Sequence, residues 1–247
     1  MDIKSEGSKG AAVDGIKTGF KVTVTKNGPY LVSDSLPLKK EIIVADEDGE
    51  SVSWQDGEKY PDQEQYALCS CGKSGNKPFC DGTHAEIGYQ GAETAARTPH
   101  QEQASVFDGP ELVLNDVQEL CAAARFCHPN GGTWKLTRRS DDPEAKKQAI
   151  QETGDCPSGR LVIRDKKTGR PIEPAFEPSI SLIEDPPEKA SGPIWLQGNI
   201  PLESSDGTSY ETRNRVTLCR CGGSGNKPFC DGTHCLNGFD DGDKSLR

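Results

Sequence analysis

Two sets of three cysteines and one histidine stand out, because thiolate sulfur and imidazole nitrogen atoms are good metal ligands. Residues 69–84 read CSCGKSGNKPFCDGTH, and residues 219–234 read CRCGGSGNKPFCDGTH. Thirteen of the fourteen positions from Cys71 to His84 are identical in the second stretch, so the two are copies of one duplicated element. The candidate ligands are Cys69, Cys71, Cys80 and His84 in the first copy and Cys219, Cys221, Cys230 and His234 in the second.

The spacing within each copy predicts how the ligands approach each other. Cys69 and Cys71 are two residues apart, so on an extended chain both side chains point to one side. Asp81 is a good helix N-cap, and the four-residue spacing of Cys80 and His84 puts both on one helix face. We therefore expect the four ligands of a copy to converge on one point.

The ligand set does not by itself select the metal. Three cysteines and one histidine suit tetrahedral zinc, and they equally suit a two-iron cluster with mixed ligation. Leu, Ile, Val and Phe make up about 18% of the chain, and values below ~20% are low for a globular protein. Metal ligation is therefore expected to contribute folding free energy.

Composition excludes several classes of protein. The formal net charge is -10, which argues against binding to nucleic acid. No stretch approaches the ~20 apolar residues of a membrane helix, and the N-terminal MDIKSEGSKGAAVDG lacks the features of a targeting segment. We expect a cytoplasmic protein with reduced thiols. His100 and His128 have no nucleophile pattern beside them, so no enzymatic activity is expected.

The elements that position the cysteines are also duplicated. GPYLVSDSLPL (28–38) resembles GPIWLQGNIPL (192–202), and the alternating segments KVTVT (21–25) and SISLI (179–183) precede them. Each copy is predicted to form strands, a cysteine loop and a short helix, which gives an α+β fold. The first copy has an acidic insertion at 46–63, expected to be a surface loop. The predicted organisation is a flexible tail (1–17), a first unit (18–90), a linker with an α/β insert (91–178) and a second unit (179–247).

Each copy resembles the CDGSH iron–sulfur family, also called NEET proteins. The family pattern has Cys-x-Cys, then Ser or Thr, then Pro, and then Cys-Asp-Gly-x-His. The first copy matches this pattern with its four candidate ligands, Ser74 and Pro78. The second copy matches it with its four candidate ligands, Ser224 and Pro228. The resemblance implies two [2Fe-2S] clusters, each held by the three cysteines and one histidine of its copy. Because members with one motif form dimers that share strands, it also implies a monomer with an internal pseudo-twofold axis.

The histidine ligand suggests what such clusters would do. A neutral imidazole in place of a thiolate raises the reduction potential, and protonation of the imidazole removes it as a ligand. We expect electron transfer or cluster transfer, with a redox partner or an apo-acceptor protein as the partner. The alternative is a zinc-stabilised interaction module without a redox role. Lys77 and Lys227 are expected either to balance an anionic cluster or to be solvated loop residues.

Three further cysteines lie in the insert. Cys121, Cys127 and Cys156-Pro157 resemble the pattern of divergent single-cluster ferredoxins, with Ala124 at the place of a fourth ligand. A three-iron cluster, or a four-iron cluster with an outside ligand, is one interpretation. The other is a buried helix that begins near Asn115 or Asp116, because Val117, Leu120, Cys121 and Ala124 follow helical spacing. Cys235 is expected to be a packed or spare thiol. We expect an ordinary α/β insert with a helix at 142–152 and a strand at 161–163.

Overall fold

The computed structural model describes residues 19–246. The tail predicted for residues 1–17 lies outside these described residues. The chain forms three small sheets and a few short helices, in agreement with the predicted α+β class.

The first copy of the duplicated element supplies five strands. They are β1 (Val22–Val24), β2 (Tyr30–Val32), β3 (Leu38–Ala45), β4 (Ser51–Lys59) and β5 (Tyr66–Leu68). Four strands follow in the second copy: β9 (Ser179–Asp185), β10 (Ala190–Gln197), β11 (Leu202–Glu203) and β12 (Arg215–Leu218). The predicted strands at 21–25 and 179–183 therefore correspond to β1 and β9.

The two copies exchange strands. One sheet has the order β11-β1-β2-β5, and the other has the order β12-β10-β9-β3-β4. Strand β11 of the second copy pairs in parallel with β1 of the first, and β3 of the first copy pairs in parallel with β9 of the second. The first sheet thus contains one strand of the second copy, and the second sheet contains two strands of the first. One apolar core contains side chains of both copies.

The acidic insertion of the first copy is not a surface loop, contrary to the prediction. Half of it forms strand β4, which pairs antiparallel with β3. Trp54 explains the difference, because its ring stacks on Phe126 at 4.6 Å and lies 4.9 Å from Trp195, between ring centroids. One apolar side chain among many charged ones therefore holds this strand against the rest of the fold.

The middle segment has its own sheet and core. Strands β6 (Ser105–Asp108), β7 (Leu112–Asp116) and β8 (Leu161–Asp165) form an antiparallel sheet that packs against helices α3 (Thr133–Arg138) and α4 (Pro143–Asp155). The Asp142 carboxylate accepts from the Glu144 N–H at 2.9 Å and caps α4. The predicted helix at 142–152 and strand at 161–163 are close to α4 and β8.

The helix predicted to begin near Asn115 or Asp116 does not form. Both residues belong to β7, a 3₁₀ turn follows at Gln118–Leu120, and residues 121–125 have no regular secondary structure. The helical spacing was misleading because the 3₁₀ turn and the irregular loop bury Val117, Leu120 and Ala124 without a helix. The predicted linker contains a short helix, α2 (His100–Gln103), and it contacts the second copy, where Thr94 N–H donates to the Lys227 carbonyl at 2.8 Å.

Two further helices of one turn each complete the structure. They are α1 (Thr83–Glu86) and α5 (Thr233–Leu236), and they contain the histidines of the two copies. Between residues 19 and 246, no helix combines the length and the apolar character needed to cross a bilayer.

Candidate metal centres

Each cysteine loop folds back beside the strand that precedes it. In the first copy, Cys69 N–H donates to the Pro78 carbonyl and Cys80 N–H donates to the Ala67 carbonyl, both at 2.9 Å. The second copy repeats these bonds between Cys219 and Pro228 at 2.8 Å and between Cys230 and Thr217 at 2.9 Å. These hydrogen bonds place Cys80 beside the strand that leads to Cys69 and Cys71, and Cys230 beside the strand that leads to Cys219 and Cys221.

A serine and a lysine hold the reversal of the loop. The Ser74 hydroxyl donates to the Phe79 carbonyl at 2.6 Å, and the Lys77 ammonium donates to the Ser74 carbonyl at 2.8 Å. Ser224 and Lys227 make the same contacts at 2.7 and 2.5 Å. Both lysines therefore bind their own loop, a role that neither of the two predicted alternatives described.

Asp81 holds the loop rather than capping a helix with its side chain. Its carboxylate accepts from the Gly75 N–H at 2.7 Å and from the Thr83 N–H at 3.0 Å. Hydrogen bonds from Thr83 and then Gly75 hold the pKa of Asp81 well below its usual range. Helix α1 begins at Thr83, after Gly82, whose left-handed φ of 93° suits a glycine.

The ligands of each copy approach one another in pairs. The Sγ atoms of Cys69 and Cys71 are 3.6 Å apart, and Cys80 Sγ is 3.3 Å from His84 Nδ1. In the second copy, the Cys219–Cys221 and Cys230–His234 distances are 4.0 and 3.4 Å. Two ligands on one tetrahedral metal with bonds of ~2.0–2.3 Å lie about 3.3–3.8 Å apart, so each pair has close to the spacing for one metal.

The expected convergence of four ligands on one point is therefore not what the structure shows. Within the described part of the chain, no three Cys, His, Asp or Glu side chains are grouped around a single ion position. The observed arrangement of two pairs in each copy is compatible with two metals held side by side. The residues present thus fit a two-iron cluster, with two cysteines on one iron and a cysteine and a histidine on the other.

The two sites differ in burial. Cys80 and His84 are partly exposed in the first copy, whereas Cys230 and His234 are each only 3% exposed in the second. Burial lowers the pKa of His234 to about 4, because the protonated ring would lose its hydration. The cover over the second site comes from the middle segment, where Ala123 lies against Gly232.

The two cysteine loops also contact each other. Cys71 and Cys221 form an antiparallel β-bridge, and Gly72 and Gly222 lie directly against it. The Tyr30 hydroxyl of the first copy donates to the Cys219 carbonyl of the second at 2.9 Å. The sequence contains no signal for this role of Tyr30, because the corresponding residue of the second copy is Ile194.

A buried arginine distinguishes the second site. Arg220 lies between the two ligands Cys219 and Cys221, where the first copy has Ser70. Its guanidinium binds Glu184 at 2.9 Å and also binds Asp241. This replacement is one of only two differences between the motifs and was visible in the sequence, but the two carboxylate partners of Arg220 come from other parts of the chain.

Comparison with protein families supports this description of the two copies. The family described as the iron-binding zinc finger of CDGSH type matches residues 27–85 and 191–235. Both copies of the duplicated element are therefore segments of the CDGSH type. A second family, described as a divergent 4Fe-4S mono-cluster, matches residues 107–166 between the two CDGSH segments. Comparison with curated proteins and with solved structures gave no match.

The middle segment places its three cysteines around a cavity that lies beside the second CDGSH site. Cys121, Cys127 and Cys156 all line a single small cavity, together with Ala124. Burial, together with the neighbouring Cys156 and Cys121 thiols, raises the pKa of Cys127 to about 12. An unbroken helix would place Cys121 and Cys127 about 240° apart around its axis. The described structure has no helix at 121–125, so this separation does not apply.

Proposed function

We propose that the protein binds one [2Fe-2S] cluster at each CDGSH site and acts in electron transfer or in the transfer of clusters to an acceptor protein. The observation that carries the proposal is the pairing of the ligands, since each site offers two positions with the spacing for a metal. When bound, such a cluster supplies a reversible one-electron carrier. The match of both copies to the iron-binding CDGSH family supports iron at these sites.

The duplicated copies would form an internal pseudo-dimer. The reciprocal pairing of β11 with β1 and of β3 with β9 supports this arrangement, because each copy completes the sheet of the other. The contact between Cys71 and Cys221 lies where the two halves meet. One chain would then hold two clusters without a second copy.

The unequal burial suggests that the two sites have different roles. His84 is accessible at the first site, so an acceptor protein or a proton can reach this ligand directly. His234 is covered, so the second cluster would be retained while it passes electrons. The partner would be a redox protein or an apo-acceptor, and the acidic net charge of -10 favours a basic contact surface on it.

The alternative is a zinc ion that only stabilises an interaction surface. Metal and sulfide analysis of protein purified without oxygen separates the two functions. A two-iron cluster predicts a loss of about two iron and two sulfide per chain in Cys80→Ser, and a similar loss in Cys230→Ser. Loss of about one zinc in each variant, with no sulfide in the parent protein, would support the interaction module instead.

Cluster transfer is tested by mixing the iron-loaded protein with an apo-ferredoxin and following the visible spectrum of the acceptor. We expect His84→Cys to slow transfer more than the matched variant His234→Cys, since the first site is the accessible one. Transfer that is equally fast in both variants and in the parent would contradict the assigned roles.

A further inference from the structure

We propose that a cavity between the middle segment and the second copy binds a small oxyanion, a carboxylate or a phosphate group, through Arg164 and Arg213. The cavity has a volume of about 230 Å³, and residues of both parts of the chain line it. None of the eight candidate metal ligands is among them. The proposal therefore does not depend on the metal at the two CDGSH sites.

The two arginines come from different parts of the chain. Arg164 belongs to β8, where Leu161 and Ile163 pack in the core of the middle segment. Successive side chains of a strand point to opposite faces, so Val162 and Arg164 lie on the other face, and both line the cavity. Arg213 lies two residues before β12 and lines the same cavity from the second copy. The packing of the two parts thus brings two cationic side chains to one cavity.

Arg164 has a hydrogen-bond donor without a partner. Its two Nη atoms donate to the Gly169 carbonyl at 3.1 Å and to Gln101 Oε1 at 3.2 Å, which are both neutral acceptors. Its Nε atom is buried and has no acceptor among the described residues. Buried donors are nearly always paired, and an oxyanion in the cavity supplies the acceptor that is missing here.

Arg213 is a partly buried cation whose contacts are all neutral. One of its Nη atoms donates to the Ser158 carbonyl at 3.2 Å, and its guanidinium carbon lies 5.4 Å from the centroid of the Phe229 ring. Burial lowers the pKa of Arg213 to about 10, and the negative charges of Glu211 and Glu173 do not offset this effect. An anion in contact with the guanidinium would offset the cost of burying its charge.

The carboxylates that line the cavity are held by other groups. Glu173 forms an ion pair with Arg215 at 2.8 Å, and the Glu211 carboxylate accepts from the His100 N–H at 2.7 Å. Among the described residues, no carboxylate forms an ion pair with either of the two proposed arginines. Both guanidinium groups are thus available to a ligand, and such groups bind carboxylate and phosphate through paired hydrogen bonds.

The first copy has no arginine at the corresponding place. Arg213 lies six residues before Cys219, whereas Gln63 lies six residues before Cys69. The duplicated element therefore does not need a cation at this position for its own fold. This difference supports a role of Arg213 that is specific to the cavity of the second copy.

The volume of the cavity limits the size of the ligand. Sites for drug-sized molecules have volumes of ~300–1,000 Å³, and this cavity is smaller, at about 230 Å³. A small metabolite with one or two acidic groups therefore fits better than a nucleotide or a peptide.

Isothermal titration calorimetry of the full-length protein with inorganic phosphate and, separately, with succinate tests the proposal. We expect one binding site per chain for at least one of these probes, with weaker binding as sodium chloride is added. The bound probe should also raise the temperature of unfolding, because it binds only the folded protein. Tighter binding of phosphate would indicate a phosphorylated metabolite as the ligand, and tighter binding of succinate would indicate a carboxylic acid.

Variants of the two arginines test the assignment of the site. Arg164→Gln and Arg213→Gln should each weaken binding about 10- to 100-fold, because each removes charge-assisted hydrogen bonds. Arg213→Lys keeps the charge but loses the planar fork, so its affinity should lie between those of the parent and Arg213→Gln. If Arg213→Gln does not fold, Arg164→Gln and Arg213→Lys still decide the question.

The matched control is Arg170→Gln, which removes a cation from an exposed position outside the cavity, six residues after Arg164. Its affinity for the probe should stay within about twofold of that of the parent. Failure of both phosphate and succinate to bind the parent would overturn the proposal. Equal weakening by Arg170→Gln and Arg164→Gln would also overturn it, since the probe would then respond only to net charge.

Discussion

At the scale of single residues, the two ligand sets are chemically identical and differ only in their surroundings. Both pair a cysteine with a histidine at 3.3–3.4 Å. His84 is partly exposed, whereas His234 is buried beside Arg220 and the middle segment. Access of protons to the imidazole should therefore decide which site loses its metal first.

Acidification is expected to bleach the visible absorption of the iron-loaded protein in two phases. Burial lowers the pKa of His234 to about 4 from its usual 6.5, which means that protonation of this ring requires a lower pH. The second site should bleach at the lower pH, and the accessible first site at the higher pH. His84→Cys should remove the first phase and His234→Cys the second, measured by absorbance against pH. Unchanged bleaching in both variants would show that histidine is not the weak ligand.

At the scale of elements, short segments are stabilised by distant partners rather than by their own sequence. Helices α1 and α5 have four residues each, and strand β4 carries many charged side chains. The two helices are stabilised by the cysteine loops that precede them, and strand β4 is stabilised by the packing of Trp54. The intrinsic secondary-structure propensity of these short segments would not be enough to stabilise any of them.

Trp54→Ala should destabilise the fold strongly. The side chain stacks on Phe126 and approaches Trp195, so its removal loses buried aromatic area and leaves a cavity. We expect a loss of about 3 kcal/mol in the free energy of unfolding, measured by urea denaturation. The exposed neighbour Val52→Ala is the control and should cost little, at about 0.5 kcal/mol or less. Equal small effects would mean that β4 is held by hydrogen bonds alone.

The contact between the middle segment and the second CDGSH site can be tested with two glycines. A methyl group at Gly232 would lie 3.1 Å from the Ala123 Cβ, whereas one at Gly82 meets nothing within 4 Å. Both positions have positive φ, of 85° and 93°, so the backbone cost of Gly→Ala is similar, at about 1 kcal/mol. Gly232→Ala should cost about 1 kcal/mol more in urea denaturation because of the contact. Equal losses of stability in Gly232→Ala and Gly82→Ala would mean that the middle segment does not contact the second CDGSH site.

At the scale of the whole molecule, the two cysteine loops form one interface. Strand exchange joins the copies, and the loops meet at the bridge between Cys71 and Cys221. A change on one loop should therefore affect the metal at both sites, which independent domains would not show.

Gly72→Ala tests this coupling. A methyl group there would lie 2.5 Å from the Cys221 carbonyl oxygen, and the φ of 73° adds backbone strain. We expect iron to be lost from both CDGSH sites, with a reduced EPR signal well below that of Gly82→Ala. Full occupancy of the second site in Gly72→Ala would show that the halves bind metal independently.

The sequence alone predicted several features that depend on local spacing. The duplication, the eight candidate ligands and the strands before them follow from residue types at short separations, and the family comparison agrees with the tandem motif. Strands β1 and β9 lie where alternating side chains predicted them. Local spacing also predicts the wrong element where two structures bury the same residues, as at Val117 and Leu120.

Only the tertiary structure decided which segments meet. The exchange of β3 and β11, the cover of Gly232 by Ala123 and the convergence of Cys121, Cys127 and Cys156 all join residues far apart in the chain. Such contacts form because apolar faces from both copies share one core, and no short pattern specifies which faces will pair. The candidate ligands could therefore be named from the sequence, whereas their pairing, their burial and their neighbours depend on the fold.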